Sequence, residues 1–186
     1  MRAWVFLIPP AVLLLWLVLT YNMFVRLRQQ LGESWAGIDT ELKRRYDLIP
    51  NLVEAVKGYA AHERQTLEAV TAARARAAAS SGSPGAQARD EQELVASLNR
   101  LLAVAEAYPD LKASANFLQL QKELGNTEDR IQAARRFFNA NVRDLNTRVE
   151  VFPSNLIAAM FGVKKAEFFE VESSAVRKVV DVSFGG

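Results

Sequence analysis

The sequence predicts an all-α protein in which an amino-terminal transmembrane helix is followed by an antiparallel bundle of long helices. Three observations support this fold class. The chain opens on an uncharged apolar run, its apolar residues then recur every three or four positions, and no stretch before Val149 alternates with period two for long. These patterns divide the chain into a transmembrane anchor at 1–25, a helical bundle at 26–162, and a tail at 163–186 that either caps the bundle or is partly disordered.

The anchor is predicted from residues 3–25, which lie between Arg2 and Arg26 and carry no charged side chain. As a helix, this run spans about 34 Å, which is enough for a hydrocarbon core of about 30 Å. Pro9 and Pro10 should end or kink the helix unless they fall in its first turn. A cleaved signal peptide is the alternative, but no small-x-small cleavage site follows the apolar run. We therefore expect a retained single span.

Basic residues are more frequent after this span than before it. Arg2 precedes it, whereas Arg26 and Arg28 follow it closely. The positive-inside rule places the more basic flank in the cytoplasm. The expected orientation therefore puts the body of the protein on the cytoplasmic side.

The first amphipathic helix is predicted from Leu31 onward, because apolar residues step by three or four positions. The stripe contains Leu31, Trp35, Ile38, Leu42, Tyr46 and Ile49, and it resumes after Pro50 with Val53, Val56, Tyr59, Leu67 and Val70. Pro50 should kink or break the helix, since the residue before a proline resists helical dihedral angles. The sequence leaves open whether Pro50 bends one helix or separates two. Alanine-rich residues 72–79 and a turn at 80–85 end the stripe.

Two further helical stretches follow this turn. A second helix is predicted from about Asp90 to Ala107. Pro109 then marks a new start, because proline fits the first turn of a helix. A third stripe runs from Leu111 to Val149 and is long enough to lie antiparallel to the first.

Three charged residues, Glu63, Glu128 and Arg135, interrupt the apolar stripes. Such residues either form a buried polar site or take part in ion pairs between helices, and long side chains also extend their charged ends to the rim. We favour a structural role, in which these side chains either form interhelical ion pairs that fix the register of the helices or extend their charged ends to the rim.

No motif in the sequence predicts catalysis. The absence of cysteine removes thiolate metal sites and cysteine nucleophiles. His62 is the only histidine, and His62-Glu63 lacks the second histidine of a zinc-protease helix. There is no Walker loop, dinucleotide fingerprint or nucleophile elbow. We therefore predict no catalytic residue, metal, cofactor or small-molecule substrate; a metal-dependent hydrolase using Glu63 or Glu128 remains a remote alternative.

Charge is balanced along the chain. The formal net charge is +2, and no segment has the one-sided basic field that nucleic-acid binding requires. We therefore expect no nucleic-acid partner.

Phenylalanine is concentrated near the carboxy terminus, at Phe152, Phe161, Phe168, Phe169 and Phe184. These rings either cap the end of the bundle or form an exposed patch for a protein partner or the membrane surface. The stretch from 152 to 155 predicts a chain reversal into a short helix from Leu156 to Phe161 that Gly162 ends. Residues 179–184 alternate weakly and predict either a short strand or an unstructured tail.

Several blocks of this sequence are similar to a known family. They are Leu42–Glu54, Tyr108-Pro109, Glu128–Ile131 with Arg135 and Asn139, Phe152-Pro153, Phe161-Gly162 and Phe168-Phe169. Over about residues 21–170 the chain resembles the LemA family of bacterial membrane-anchored helical proteins. The departures are small: Phe138 stands where a tyrosine is expected, and Gly125 lies inside an expected helix.

The resemblance implies an anchor in the bacterial inner membrane and an antiparallel bundle, with no catalytic activity or cofactor. It also suggests scaffolding in membrane organisation and association with membrane-bound metalloproteases. We therefore expect a non-enzymatic scaffold or adaptor that contacts the lipid bilayer and a membrane-protein partner. The alternative is a self-assembling homo-oligomer that organises or remodels membranes.

Candidate interaction or structural polar positions follow from these blocks and stripes. They are Arg44, Arg45, Tyr46, Asp47, Pro50, Asn51, Glu63, Glu128, Arg135, Asn139, Phe152, Phe161, Phe168 and Phe169. The block from Arg44 to Asn51 and the late phenylalanines are the expected contact surfaces.

Overall fold

The computed structural model describes residues 4–170, and every element in this range is helical. The helices are α1 (Trp4–Lys57), α2 (Arg64–Ala79), α3 (Pro84–Ala105), α4 (Pro109–Lys112), α5 (Ala115–Glu150) and α6 (Ser154–Met160). The predicted all-α fold, with one long apolar amino-terminal helix followed by packed helices, is confirmed.

Helices α1 and α5 form the long antiparallel pair of the fold. The rings of Trp35 and Phe138 lie 5.3 Å apart between centroids. Further along α1, Arg45 pairs with Glu128 at 2.7 Å. Residue numbers thus rise on α1 as they fall on α5, as expected for antiparallel helices.

Helices α2 and α3 form a hairpin that packs on the half of α1 farther from the apolar run, which we call the distal half. The hairpin is joined at its turn, where the Gln87 amide donates to the Ala77 carbonyl over 3.1 Å. All four long helices contribute to the main core, which includes Ile38, Leu42, Ile49, Leu52, Val56, Val70, Leu94, Leu101 and Phe138. The proximal half contains a second cluster from α1, α5, α6 and the segment that follows α6: Phe24, Leu145, Ile157, Ala158 and Val163.

The apolar start of α1 projects beyond the bundle. Among residues 4–170, α1 is the one helix long and apolar enough to cross a membrane. Its side chains Ile8, Val12, Leu13, Leu14, Leu15, Val18 and Leu19 are each 45–64% exposed. A buried core helix would cover these side chains, so their exposure favours contact with lipid.

The amino-terminal prolines do not end α1, contrary to one expectation. The helix begins at Trp4 and continues through Pro9 and Pro10. A proline removes the hydrogen bond to the carbonyl four residues earlier. Only about one helical turn precedes Pro9, so few such bonds are lost.

Pro50 also lies inside α1, and the interpretation that it separates two helices is wrong. Because Pro50 has no N–H, the Tyr46 carbonyl loses its normal helical donor. The Nε of Arg74, on α2, donates to this carbonyl over 2.7 Å. A side chain from another helix therefore replaces the missing backbone bond, and α1 continues to Lys57.

The other helix boundaries also differ from the sequence-based expectations; α6, for example, runs from Ser154 to Met160 rather than from Leu156 to Phe161. The apolar stripe that includes Tyr59 and Val70 does not lie on one helix, because α1 ends at Lys57 and α2 begins at Arg64. Helix α3 begins at Pro84 rather than near Asp90, since proline is favourable at the first helical position. The third predicted stripe is divided into the single turn of α4 and the long α5.

We expect Arg74→Met to lower the free energy of unfolding by about 1–3 kcal/mol, because the Tyr46 carbonyl is left unpaired. In a Pro50→Ala background, the N–H of residue 50 pairs with the Tyr46 carbonyl. The Arg74→Met change should therefore lower the free energy of unfolding by much less in that background. The measurement is a double-mutant cycle on the detergent-solubilised full chain, unfolded with denaturant. Equal losses in both backgrounds would contradict the role given to Arg74.

We expect Gly125→Ala to raise the free energy of unfolding by about 0.5–1 kcal/mol. Gly125 lies in α5, and an added Cβ would meet no atom within 4 Å. Gly162 is the matched control, because its φ of 62° is unfavourable for a residue with a Cβ. Gly162→Ala should therefore destabilise the protein in the same assay, and a loss of stability in Gly125→Ala would disprove the prediction.

Candidate functional site

The polar centre of the bundle is the guanidinium of Arg45. This α1 side chain is 2% exposed and lies between two carboxylates. One is the buried Glu91 of α3, and the other is Glu128 of α5, whose Oε2 lies 2.7 Å from the Arg45 Nη1. One arginine thus joins three helices, and the structure places Glu128 in an interhelical ion pair.

Tyr46 and Gln87 complete the hydrogen bonding of Glu91. The Tyr46 hydroxyl donates to the Glu91 carboxylate. The Gln87 amide donates to Glu91 Oε1 over 3.0 Å. Burial, and then the hydrogen bond to Glu91, raise the pKa of the Tyr46 phenol well above its usual value. Tyr46 is therefore a protonated donor at neutral pH, and Glu91 is held by three donor groups.

We expect this buried network to specify register more than it adds stability. Desolvating an arginine and a carboxylate offsets much of their attraction, whereas removing one partner leaves an uncompensated buried charge. Helices α1 and α3 must therefore lie where Arg45 meets Glu91, and a slip along either axis separates the charges. We therefore expect the network to hold the three helices in one register.

A polar groove of about 400 Å³ opens beside the network. Its lining includes Arg45, Glu128, Gln132, Arg135 and Glu170. Positive and negative side chains alternate there, so the groove has no single-signed field for an anion or a cation. Arg135 is half-buried in this wall.

Glu63 lies apart from the network, before the first residue of α2. Its carboxylate is 3.9 Å from the His62 imidazole, and His62 contacts the Tyr108 hydroxyl at 2.5 Å. Within residues 4–170, no three histidine, aspartate or glutamate side chains converge in a way that could hold a metal ion. The geometry therefore gives no support to the metal-hydrolase alternative.

Two asparagines of α5 clamp the chain that follows α6. Asn139 accepts from the Phe169 N–H over 2.9 Å, and Asn146 accepts from the Ala166 N–H over 2.8 Å. The Asn146 amide also donates to the Ala166 carbonyl over 2.9 Å. The asparagines are two helical turns apart, about 10 Å, which matches three residues of extended chain. Residues 163–170 therefore run back along α5 as a strap.

The late phenylalanines occupy different places. Phe169 is buried and meets Trp35 edge-on, with ring centroids 5.5 Å apart. Phe168 is half-buried, whereas Phe152 and Phe161 are exposed near the apolar end of α1. The phenylalanines thus do not form one cap at the end of the bundle. Phe184, like residues 179–184 as a whole, lies outside the described residues.

The block from Arg44 to Asn51 is divided by the helical repeat. Arg45 and Tyr46 face the core, and Arg44, Asp47, Pro50 and Asn51 are exposed. The expectation that the block is a contact surface therefore needs correction for its buried members, because a core side chain is inaccessible to a partner.

Sequence reasoning missed Gln87, Glu91 and Arg74. The signal for Glu91 was present, since it precedes Leu94 by three positions on the α3 stripe. Gln87 lies one turn earlier, between the predicted turn at 80–85 and the predicted helix start near Asp90. Arg74 had no signal, because its acceptor is a carbonyl made available by a proline on another helix.

We expect Arg45→Met to lower the free energy of unfolding by about 3–5 kcal/mol, because Glu91 would remain buried without its cation. Arg44→Met is the matched control. Arg44 is exposed and pairs with Glu41 at 3.5 Å, so its loss should change stability by less than about 1 kcal/mol. Denaturant unfolding of both variants checks this. Similar losses of unfolding free energy in the two variants would contradict the structural role given to Arg45.

Comparison with known proteins places this architecture in a family. A model of the LemA family matches residues 34–184. Magnetosome protein MamQ 2 of Paramagnetospirillum magneticum is 25% identical over 179 residues, which cover 83% of this chain and 66% of that protein. Magnetosome protein MamQ of Magnetospirillum gryphiswaldense is 24% identical, with 82% and 65% covered. Protein LemA of Metamycoplasma hominis is 25% identical over 164 residues, with 84% and 75% covered.

This chain spans just under two thirds of the length of the magnetosome proteins that it matches. The family match covers the distal core, the whole of α5 and the strap. The apolar start of α1 and these similarities together indicate a membrane-associated helical protein. The resemblance noted from the Leu42–Glu54 block is confirmed, and the chain belongs to the LemA family.

Proposed function

We propose that this protein is a membrane-anchored, non-enzymatic scaffold or adaptor that binds a membrane-protein partner next to the bilayer. The observation that carries the proposal is the continuity of α1, which runs from the apolar segment to Lys57 without a break. A bundle on a flexible linker would take many orientations, whereas a bundle built on the anchor helix keeps its faces at a fixed height and direction.

The bundle is also stiff along its length. From Arg26 to Lys57, α1 rises about 47 Å. In the distal half Arg45 locks α1 to α3 and α5, and in the proximal half Asn139 and Asn146 hold the strap against α5. A fixed platform of this kind suits the placement of another protein.

The polar network supports the non-enzymatic part of the proposal. Arg45 is paired with both Glu91 and Glu128, and the Tyr46 hydroxyl is engaged as a donor. Activated catalytic groups usually face a cleft with a perturbed pKa that suits proton transfer. The raised pKa of Tyr46 instead favours its neutral form and a structural role.

The proposed contact surface is a groove between α1 and α5, just beyond the apolar segment. It is lined by Glu33, Gly37, Ala134, Phe137 and Asp144, among others. The Phe137 ring is 63% exposed, an unusual state for a large apolar side chain on a helix of a packed bundle. Small residues beside it leave room for a helix to approach closely. A partner helix that leaves the membrane beside α1 would meet this groove first.

The more basic flank after the span supports a location in the bacterial inner membrane with the bundle in the cytoplasm. The family resemblance suggests a membrane-bound metalloprotease as one candidate partner. A second candidate function is self-assembly, in which a second copy of the chain fills the same groove.

We expect a photo-crosslinking amino acid at position 137 to form an adduct with one membrane protein in intact cells. Position 118 is the matched control, because Leu118 is also an exposed apolar residue of α5 but lies far from the groove. Leu118 should give no comparable adduct, and Phe137→Ala should abolish co-purification of the partner while Leu118→Ala leaves it unchanged.

Adducts between copies of this chain alone would favour the self-assembly alternative. No adduct at 137 above the level at 118 would contradict both the groove and the adaptor role.

A further inference from the structure

We propose that α6 and the residues around it, 151–163, form a second membrane-contact element. In this arrangement the segment lies in the leaflet nearest the bundle, beside the last turns of the anchor, with its outer apolar face against lipid acyl chains. We call residues 151–163 the interfacial hairpin. The inference depends on α1 crossing the bilayer and is independent of the scaffold role.

The depth of the hairpin follows from its contacts with α1. Trp16 and Leu17 are partly buried against the cluster that contains Ile157 and Ala158. The charge-free run of α1 continues to residue 25. A segment that shares a cluster with residues 16, 17 and 24 therefore lies close to the level of the apolar run.

Two further α1 residues are covered at this level. Thr20 and Phe24 are 7% and 1% exposed, although the neighbouring turns are open. The Tyr21 ring lies 4.7 Å from the Phe161 ring, between centroids. Tyrosine is typical of the membrane–water boundary, so this contact places the end of α6 at the boundary.

The outward face of the hairpin is apolar. Phe152, Leu156 and Met160 are 74%, 56% and 67% exposed, and they recur every four residues. Leu156 and Met160 lie on α6 and at this spacing share one side of the helix, while Phe152 lies just before the helix begins. A helix on the surface of a water-soluble bundle has the opposite pattern, with polar residues outward.

The polar side-chain atoms of the hairpin are turned inward, and one of them, the Oδ1 of Asn155, has no hydrogen-bond partner among the described residues. The Ser154 hydroxyl is buried and lies 2.7 Å from the Arg148 carbonyl. The carbonyls at the end of α6 are also paired: Val163 N–H donates to the Ala158 carbonyl over 2.8 Å. Gly162, in the left-handed conformation, makes this reversal possible. Backbone groups near hydrocarbon must be paired within the protein, and this end of the helix meets that demand.

The charge pattern marks the edge of the proposed lipid contact. Residues 151–163 carry no charged side chain. Glu150 directly precedes them and pairs with Lys165, and two basic residues, Arg148 and Lys164, lie on either side of the segment. Both side chains are exposed, as are Arg26 and Arg28 where the apolar run of α1 ends. Basic side chains beside an apolar surface suit the phosphate groups of a phospholipid leaflet. These boundaries on α1 and on the hairpin therefore favour a lipid occupant over a protein partner.

The test uses the full chain, reconstituted alone into liposomes of phosphatidylethanolamine and phosphatidylglycerol. Because the natural chain has no cysteine, each variant carries one labelling position. Leu156→Cys and Met160→Cys receive an environment-sensitive fluorophore, and quenching by spin-labelled acyl chains is measured. Leu118→Cys is the matched control on the bundle, and Leu14→Cys is the control inside the anchor.

We expect the probes at 156 and 160 to be quenched several-fold more than the probe at 118, with blue-shifted emission, and the probe at 14 to be quenched as well. Quenching at both 156 and 160 no greater than at 118 would overturn the inference. So would a blue shift without quenching that grows with the protein-to-lipid ratio, because a second copy would then cover the hairpin.

An unquenched probe at 14 would show that α1 does not cross the bilayer, and the inference would fail with it. The crosslinking result at position 137 is a separate measurement. Loss of the hairpin proposal with a positive adduct at 137 would leave the scaffold role standing.

Discussion

A buried guanidinium organises the bundle. Arg45 cannot remain in the core unless carboxylates reach it, and the two that do, Glu91 and Glu128, come from different helices. Apolar contacts alone allow one helix to shift along another by a turn, since a leucine in one turn can take the place of a leucine in the next. A charge pair does not tolerate it. We therefore expect these ion pairs to fix the register of α1 against α3 and α5, and with it the heights of the other side chains above the apolar segment.

The protein has two halves with different construction. The distal half is a four-helix bundle with one continuous apolar core. The proximal half contains only α1, α5 and α6, with the strap of residues 163–170 alongside. The proximal half therefore has more open helix surface, and it contains both the Phe137 groove and the interfacial hairpin. The distal half stabilises the fold, while the features that suit interaction with other molecules lie nearer the membrane.

Local patterns predicted the long elements, and non-local contacts decided the details. The apolar run and the stripe of α5 were visible because many residues repeat one period. The usual rule for Pro50 failed because Arg74, far away in sequence, donates to the carbonyl that the proline leaves unpaired. The strap had no periodic signal, since the side-chain amides of Asn139 and Asn146 hold it rather than a repeated apolar face. The position of Glu128 on a stripe predicts either an interhelical ion pair or a charged end at the rim, and only the fold brings it to Arg45.

Because α1 is unbroken, a tilt of its apolar segment in the bilayer moves the whole bundle. A transmembrane helix adjusts its tilt when the hydrocarbon thickness changes, and tilts of about 20° are common. Because no hinge separates the apolar segment of α1 from the bundle, the bundle tilts by the same angle as that segment. A change of about 10° would move Lys57 sideways by about 8 Å, given the rise of about 47 Å from Arg26. Local membrane thickness would thereby be converted into lateral displacement at the far end of the protein.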